Sequence, residues 1–176
     1  YFEKLYINED IERKIFSCII SESEISDTAS PKLAQLRRSR KSLELGIKDK
    51  LNTILHSNSY SKYMMESVIT IRNDRFVIPV KSEYRDKVKG FVHDTSSSGS
   101  TVYIEPLAIF EINNSINNCI VEENKEIERI LQVLSYSLFP IANSLKNTIN
   151  LIGKLDFISA KATFSITVSS FNRLKF

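Results

Sequence analysis

Residues 68–105 read VITIRNDRFVIPVKSEYRDKVKGFVHDTSSSGSTVYIE. β-Branched and aromatic side chains dominate both ends of this stretch, which is typical of β-strands. Asn73 and Asp74 interrupt the first run, and such a pair favours a tight hairpin turn. Gly99 lies in the polar DTSSSGS segment and can adopt positive φ there. The stretch therefore predicts a small antiparallel sheet of two strand pairs, Val68–Arg72 with Arg75–Val80 and Val88–His93 with Thr101–Ile104.

Pro79 restricts where the second of these strands can lie. Proline has no backbone N–H and cannot donate to a strand ladder. We therefore expect Arg75–Val80 to lie at a sheet edge or to be bulged at Pro79.

Helical periodicity flanks the strand-rich stretch on both sides. Ser30 is a favoured N-cap and Pro31 fits the first helical position, so a helix from Pro31 to about His56 is predicted. Helical spacing returns at Pro106 and ends near Pro140. Residues 31–56 hold seven basic and two acidic residues, whereas residues 106–138 hold five glutamates and two basic residues. Such complementary charges suit antiparallel pairing of the two helices.

These patterns predict a mainly helical α+β fold, in which an antiparallel two-helix coiled coil carries a small antiparallel sheet at its tip. Asn8 or Asp10 can cap a first short helix through Ile19, and the polar SESEISDTAS segment that follows is predicted to be a connector. Two further helices are expected over Ile141–Ile152 and Lys154–Ser170. The expected segments are 1–29 (helix and connector), 30–66 (outgoing helix), 67–105 (sheet insert), 106–138 (return helix) and 139–176 (further helices).

Composition limits the classes of function. The chain has 176 residues, 42% of them hydrophobic, and a net charge of +3, which suits a globular domain with a real core. The sequence contains no apolar run long enough for a membrane span and no pattern typical of a secretory signal. Cys18 and Cys119 have no disulfide or metal spacing, so a cytoplasmic location is expected. Because the first residue is Tyr1 rather than Met, we expect a piece of a longer protein.

No catalytic, cofactor-binding or metal site is predicted in these residues. Four glycines cannot form either glycine-rich phosphate-binding motif. His56 and His93 are too far apart in sequence for a helical metal pair. A dyad of His93 and Asp94 beside Ser96 is awkward, because adjacent residues of a strand point to opposite faces. A structural role for His93 is therefore favoured over catalysis.

Basic residues in the insert are the candidate nucleic-acid contacts. The region 72–89 carries six basic and three acidic residues and could bind phosphates without reading bases, although a solvated strand edge explains this charge at least as well. The loop 96–100 could form an anion-binding nest, but a flexible hairpin loop is favoured. The cluster Arg37, Arg38, Arg40 and Lys41 is better explained by ion pairs with the acidic helix. The candidates are Arg72, Arg75, Lys81, Arg85, Lys87, Lys89, Ser96, Ser97, Ser98, Gly99 and Ser100.

The run GFVHDTSSSGSTVYIEP, followed by EINN and EENKEIERIL, resembles the central region of the bacterial MutS-like paralogues, MutS type two. SDTASPKLAQLRRSRKSLE is similar to the family's outgoing lever helix, and IRNDRFVIPVKSEYRDKVKGFVHD is similar to its clamp. LDFISAKATFS is similar to the return into the MutS core. The likeness spans essentially the whole chain and departs at Thr95, where glutamine is expected.

The resemblance implies a dimeric parent in which core and lever segments connect a distal clamp to an ATPase that uses ATP and Mg²⁺, with a Smr nuclease-like domain further on. It associates the family with branched DNA, restraint of recombination and rescue of collided ribosomes. Its candidate partners are therefore DNA, branched or duplex, or ribosomal RNA, and no membrane. The family marks the candidate stretch as the clamp.

Two functions from different classes remain open. In the first, the insert clamps nucleic acid without sequence specificity and is coupled through the helices to a distant ATPase. In the second, the helices and sheet are a structural scaffold or a protein-interaction stalk without direct nucleic-acid contact.

Overall fold

A computed structural model describes the backbone of residues 5–173 and the side chains of residues 5–167. The fold is mainly helical α+β, as predicted. Its helices are α1 (Glu9–Cys18), α2 (Pro31–Leu55), α3 (Phe110–Leu138) and α4 (Ala142–Arg173). Its strands are β1 (Ile19–Ser21), β2 (Glu24–Ile25), β3 (Thr70–Arg72), β4 (Arg75–Lys81), β5 (Gly90–Thr95) and β6 (Thr101–Pro106). Contacts divide the chain into two compact units. The sheet unit is Asp27–Arg129, and the terminal unit contains the described residues of 1–26 and 130–176.

The sheet unit contains one four-stranded antiparallel sheet with the order β3-β4-β6-β5. Both predicted hairpins are present, β3 with β4 and β5 with β6. Asn73 and Asp74 have φ of 50° and 59°, the left-handed conformation that a type I′ hairpin turn requires at both central positions. The pairing of β4 with β6 joins the two hairpins into a single sheet.

Pro79 does not place β4 at an edge, so that expectation is wrong: β4 pairs with β3 on one side and β6 on the other. The ladder with β3 begins at Thr70 opposite Val77, two residues before Pro79. On that side the Pro79 carbonyl accepts a hydrogen bond from the Met65 N–H, at 2.9 Å. Since N–H and C=O of a strand residue point the same way, the missing N–H of Pro79 faces a side where the ladder with β3 has ended.

Helices α2 and α3 pack antiparallel within the sheet unit. Ser30 at the start of α2 contacts Glu126, and Arg40, ten residues later, contacts Glu123 nearer the start of α3. Arg37 Nε also donates to Glu123, at 2.7 Å. The predicted ion pairs of the basic cluster are therefore confirmed for Arg37 and Arg40. Asp27, followed by Glu123, raises the pKa of Arg37 by hydrogen bonding.

The N-terminus of α2 is fixed by a buried polar contact. The Ser30 hydroxyl accepts from the amides of Lys32 and Leu33 and donates to Glu126, at 2.7 Å. The Glu126 side chain is 3% exposed, and hydrogen bonds from Arg129 and then Ser30 lower its pKa to about 2. The predicted cap and Pro31 start are therefore present and are tied to α3.

The sheet shares its hydrophobic core with the last turns of α2 and the first turns of α3. One face of the sheet supplies alternate residues of β4 and β6, as expected for period-two side chains. Burial of these side chains is the main force that holds sheet and helices together. The core residues are Ile47, Leu51, Leu55, Met64, Phe76, Ile78, Val80, Val88, Val102, Ile104, Ile109 and Ile116.

The terminal unit differs from its predicted form in two places. The connector after α1 contains a short hairpin, β1 with β2, whose pairing the polar sequence did not indicate. Residues 142–173 form one helix rather than two, and Gly153 lies inside it. Glycine costs a helix about 1 kcal/mol but keeps its N–H, so it does not by itself end the helix. No helix in the described range, 5–173, is long and apolar enough to cross a bilayer.

Candidate nucleic-acid interface

The sheet curls until its two edges meet. β3 and β5 are edge strands on opposite sides, yet Arg72 pairs with Asp94 at 3.1 Å, and the Asn73 side chain donates to the His93 carbonyl at 2.9 Å. The Arg72 guanidinium also lies 4.3 Å from the centre of the Tyr103 ring. An irregular register between Val92 and Asp94 marks a bulge, which increases the local twist of β5.

The curl encloses a buried carboxylate. Glu105 is fully buried and accepts from Arg75 at 2.6 Å, His93 at 2.6 Å and Asn113 at 2.7 Å. These four residues are the Glu105 cluster. A buried carboxylate is tolerated only when it is paired and hydrogen-bonded. His93 therefore has a structural contact, through its Nε2 atom, with the buried Glu105 carboxylate.

The Asn113 side chain replaces the backbone hydrogen bonds that are lost where β4 and β6 separate. The register that pairs Ile78 with Ile104 would place Phe76 opposite Pro106, which has no N–H to donate. The Asn113 side chain instead accepts from the Phe76 N–H and donates to its carbonyl, both at 3.0 Å. Asn113 belongs to the first turn of α3. The side chain therefore links that helix directly to the sheet backbone.

Arg72 and Arg75, two of the predicted nucleic-acid contacts, thus have partners within the sheet unit. Arg72 holds Asp94 and Tyr103, while Arg75 holds Glu105 and also donates to Asn114, at 2.6 Å. Arg75 is 19% exposed, so most of its guanidinium is withdrawn from solvent.

The other cations lie on or beside the crossover, the segment Ser82–Lys89 that connects β4 to β5. Its first six residues form a 3₁₀ turn. Arg85, Lys87 and Lys89, the crossover cations, are exposed and have no side-chain hydrogen bond or ion pair with the described residues. Lys81, at the start of the crossover, donates to the Lys62 carbonyl at 3.4 Å. Glu83 and Asp86 in the same segment are also exposed and reduce its net positive charge.

The serine loop Ser96–Ser100 closes on itself. Gly99 has φ of 71° and its N–H donates to the Ser96 carbonyl at 2.8 Å, while the Thr101 N–H donates to Ser96 Oγ at 3.0 Å. These two amides are therefore engaged within the hairpin, and a nest would have to use the other amides of the loop. The loop presents hydroxyls on an exposed surface, with Ser98 and Ser100 in contact at 2.8 Å.

The structure brings the serine loop to the start of the crossover. The Ser82 N–H donates to the Ser100 carbonyl at 3.0 Å, and the Ser82 hydroxyl donates to the Gly99 carbonyl. At its other end the crossover borders a recess of about 480 Å³. That recess is lined by Arg85, Asp86, Val88, Lys89, Gly90, Phe91, Val92 and Ile104.

Gly90 is required where the crossover enters β5. A Cβ atom at this position would lie 2.1 Å from the Glu105 carbonyl oxygen, well inside van der Waals contact. Any side chain would therefore separate β5 from β6 next to the Glu105 cluster.

Sequence reasoning missed Asn113, Glu105 and the closure of the sheet by Asp94. Pro106 was one available signal, since a proline in a strand leaves a neighbouring carbonyl without its ladder donor. The remaining contacts join residues 8 to 37 positions apart, and no local sequence pattern predicts such pairings.

No protein-family model matches the chain. Curated relatives do match it. The chain is 48% identical over 159 residues to the endonuclease MutS2 of Acetivibrio thermocellus, covering 90% of the chain and 20% of that protein. It is 46% identical over 162 residues to the endonuclease MutS2 of Clostridioides difficile, covering 92% and 20%. A putative endonuclease MutS2 of Bacillus subtilis is 45% identical over 168 residues, covering 96% and 21%. The chain spans about a fifth of the length of these relatives. The sequence therefore fits a segment of the MutS2 family.

Proposed function

We propose that the sheet unit, Asp27–Arg129, contacts the phosphate backbone of a nucleic acid without sequence specificity. The proposal rests on the exposure of the crossover cations and on their lack of side-chain partners. Arg85, Lys87 and Lys89 are exposed and lack side-chain partners in the described part of the chain, whereas Arg72 and Arg75 are held within the sheet. Unpaired exposed cations are available to replace the counterions of phosphates.

The serine loop adds a second kind of contact to the same surface. Serine hydroxyls donate to phosphate oxygens without reading base identity. Because Ser82 ties the loop to the start of the crossover, hydroxyls and Lys81 lie near the same end of the sheet. This surface supports positioning on a backbone rather than sequence readout.

Helix α3 supplies a route by which contact at the sheet could reach distant residues. Asn113 and Asn114 in its first turns hold Phe76, Glu105 and Arg75. The helix has 29 residues, which corresponds to about 43 Å at 1.5 Å per residue. We propose that displacement of the sheet is transmitted along α3 to an ATPase in the longer protein.

At the level of the longer protein, the proposal follows the family. The relatives are named endonucleases. We propose a cytoplasmic homodimer whose ATPase uses ATP and Mg²⁺, with a Smr-type endonuclease domain. Its targets are branched DNA, in restraint of recombination, or ribosomal RNA on collided ribosomes.

The test is a binding titration of the 176-residue chain against duplex DNA, branched DNA and ribosomes. Arg85→Gln, Lys87→Gln and Lys89→Gln are combined in one variant. The matched control combines Arg38→Gln, Lys41→Gln and Lys48→Gln, which removes the same charge from an exposed face of α2. The proposal predicts that the crossover variant loses at least tenfold in affinity and the control retains most of it. Equal losses of affinity in the two variants would show that only the net charge of the chain matters. Unchanged affinity in both variants would overturn the assignment of the crossover cations to nucleic acid.

A second candidate function, protein contact, is favoured by the terminal unit. Helix α4 exposes large apolar side chains over much of its length, among them Ile149 at 68%, Phe157 at 60% and Phe164 at 70%. Exposed apolar side chains on one helix are typical of a protein-interaction surface.

Sedimentation of the chain over a range of concentrations tests this function. Concentration-dependent association that is lost in a Phe157→Ser, Phe164→Ser variant would support it, and a monomer at every concentration would exclude self-association through α4.

A further inference from the structure

Two recesses meet beside the crossover, and Val88 and Lys89 line both of them. The larger, of about 480 Å³, contains Arg85 and Asp86 and borders β5. The smaller has a volume of about 240 Å³. The smaller recess is lined by Ile54, Tyr60, Val88, Lys89, Pro106, Leu107 and Ala108. We infer that this pair of recesses binds one unpaired nucleotide, with its base in the smaller recess and its phosphate at Arg85 and Lys89; the inference rests on the proposed nucleic-acid function.

The smaller recess has the chemistry of a slot for a planar ring. Apart from Lys89 at its rim and the Tyr60 hydroxyl, its lining side chains are apolar. Its volume lies below the roughly 300–1,000 Å³ of sites for drug-sized ligands, so it suits a single ring system. Bases stack on aromatic and apolar side chains without regard to sequence. Leu107 at the mouth is 53% exposed, so the slot opens to solvent.

The larger recess has the charge of a site for one phosphate. Arg85 and Lys89 line it and have no side-chain partner within the described residues. Asp86 lines it as well and offsets one of the two positive charges. The remaining single positive charge matches one phosphodiester, and the Asp86 carboxylate disfavours a second phosphate.

An intact duplex can contact the cations of the larger recess but cannot occupy the smaller recess. Its phosphates can reach the cations, but its bases are paired and stacked inside the helix and cannot enter the slot. A nucleotide that is already unpaired enters without the cost of unstacking. The paired recesses therefore predict a preference for nucleic acid with unpaired nucleotides over continuous duplex.

The experiment compares binding of the 176-residue chain to a fluorescein-labelled DNA duplex and to the same duplex with one unpaired nucleotide. We expect the bulged duplex to bind about tenfold more tightly. Ala108→Phe, at an exposed position on the slot, should fill it and remove this preference while leaving duplex affinity unchanged. Ala108→Ser is the matched control and should retain the preference.

A second variant, Leu107→Glu, places a carboxylate at the mouth of the slot and should also abolish the preference. Thermal melting by circular dichroism establishes that each variant is folded. Equal affinity of the wild-type chain for the two duplexes would overturn the slot while leaving the backbone contact intact. Absence of binding to both DNA duplexes and also to ribosomes would instead overturn the proposed function. Tighter binding of a glutamate- and phenylalanine-rich peptide that Ala108→Phe abolishes would assign the recesses to a protein partner.

Discussion

The Glu105 cluster and the crossover use their charges in opposite ways. In the cluster, Arg75 and His93 contact a fully buried carboxylate that also accepts from Asn113. On the crossover, Arg85, Lys87 and Lys89 face solvent without side-chain partners among the residues described. The basic residues of both sets lie within residues 75–93, a stretch of 19 positions, and the sequence alone does not separate Arg75 from the crossover cations. A count of basic residues therefore does not separate cations that hold the fold from cations that are available for binding.

The largest effect on stability is expected at Glu105. Glu105→Ala leaves Arg75 and His93 without their carboxylate and Asn113 without one acceptor. Removing one member of a buried ionic cluster costs about 3–5 kcal/mol. Urea unfolding of the chain measures this loss, and Glu83→Ala, at an exposed carboxylate on the crossover, is the control with an expected change within about 0.5 kcal/mol. Similar losses of stability in the two variants would show that the buried Glu105 carboxylate holds the fold no more than an exposed one does.

Asn113→Ala should produce the next largest loss. It leaves the N–H and carbonyl of Phe76 without partners where the sheet cannot supply them. An unsatisfied buried polar group costs about 1–3 kcal/mol, so a loss of about 2–3 kcal/mol is expected by urea unfolding. Asn118→Ala, at an exposed position of the same helix, should change stability little. A neutral Asn113→Ala variant would show that Phe76 finds other partners.

Acid should weaken the contact between α2 and α3 through Glu126. Its folded-state pKa of about 2 lies below the ordinary 4.5, mainly because Arg129 and Ser30 donate to the ionised carboxylate. The unfolded chain therefore takes up this proton first as the pH falls. The stabilising contribution is complete above about pH 4.5 and is lost as the pH approaches 2. Unfolding free energies measured across this window should fall less steeply in Glu126→Gln than in the wild-type chain, and parallel curves would exclude Glu126 as a source.

The smallest effect on stability is expected at the crossover cations. Replacing Arg85, Lys87 and Lys89 by glutamine removes no contact that holds the fold, so each change should alter unfolding free energy by less than about 0.5 kcal/mol. The same variant is expected to bind nucleic acid at least tenfold more weakly. Thermal melting together with the binding titration checks both statements. A large loss of stability would show that the crossover cations have structural partners after all.

Local signals in the sequence predicted the elements that depend on neighbouring residues. Asn73 and Asp74 predicted the first hairpin, and Ser30 with Pro31 predicted the start of α2, because turns and caps are determined within a few residues. The charge of α3 predicted its pairing with Arg37 and Arg40. Each of these features is present in the structure.

Features that join distant residues were not predictable in the same way. The contact of Asn73 with His93 requires a curled sheet, which no pattern within one strand specifies. Pro79 did not make β4 an edge strand, because the hydrogen bonds between β4 and β3 end before Pro79 while β4 stays between β3 and β6. Two helices were expected over Ile141–Ile152 and Lys154–Ser170, but Gly153 between them lowers helix stability without preventing the next hydrogen bond. The assignment of individual side chains to nucleic acid stays a prediction.

The salt dependence of nucleic-acid binding reports directly whether the crossover cations contact phosphates. The affinity of the wild-type chain for duplex DNA is measured across a series of salt concentrations, beside the variant with Arg85, Lys87 and Lys89 replaced by glutamine. Each phosphate contact contributes about 0.9 to the slope of log affinity against log salt. Because three cations are removed, we expect the variant's slope to be smaller by about 2 to 3. Two parallel lines would show that the crossover cations do not contact the backbone, and would overturn the proposed phosphate contact.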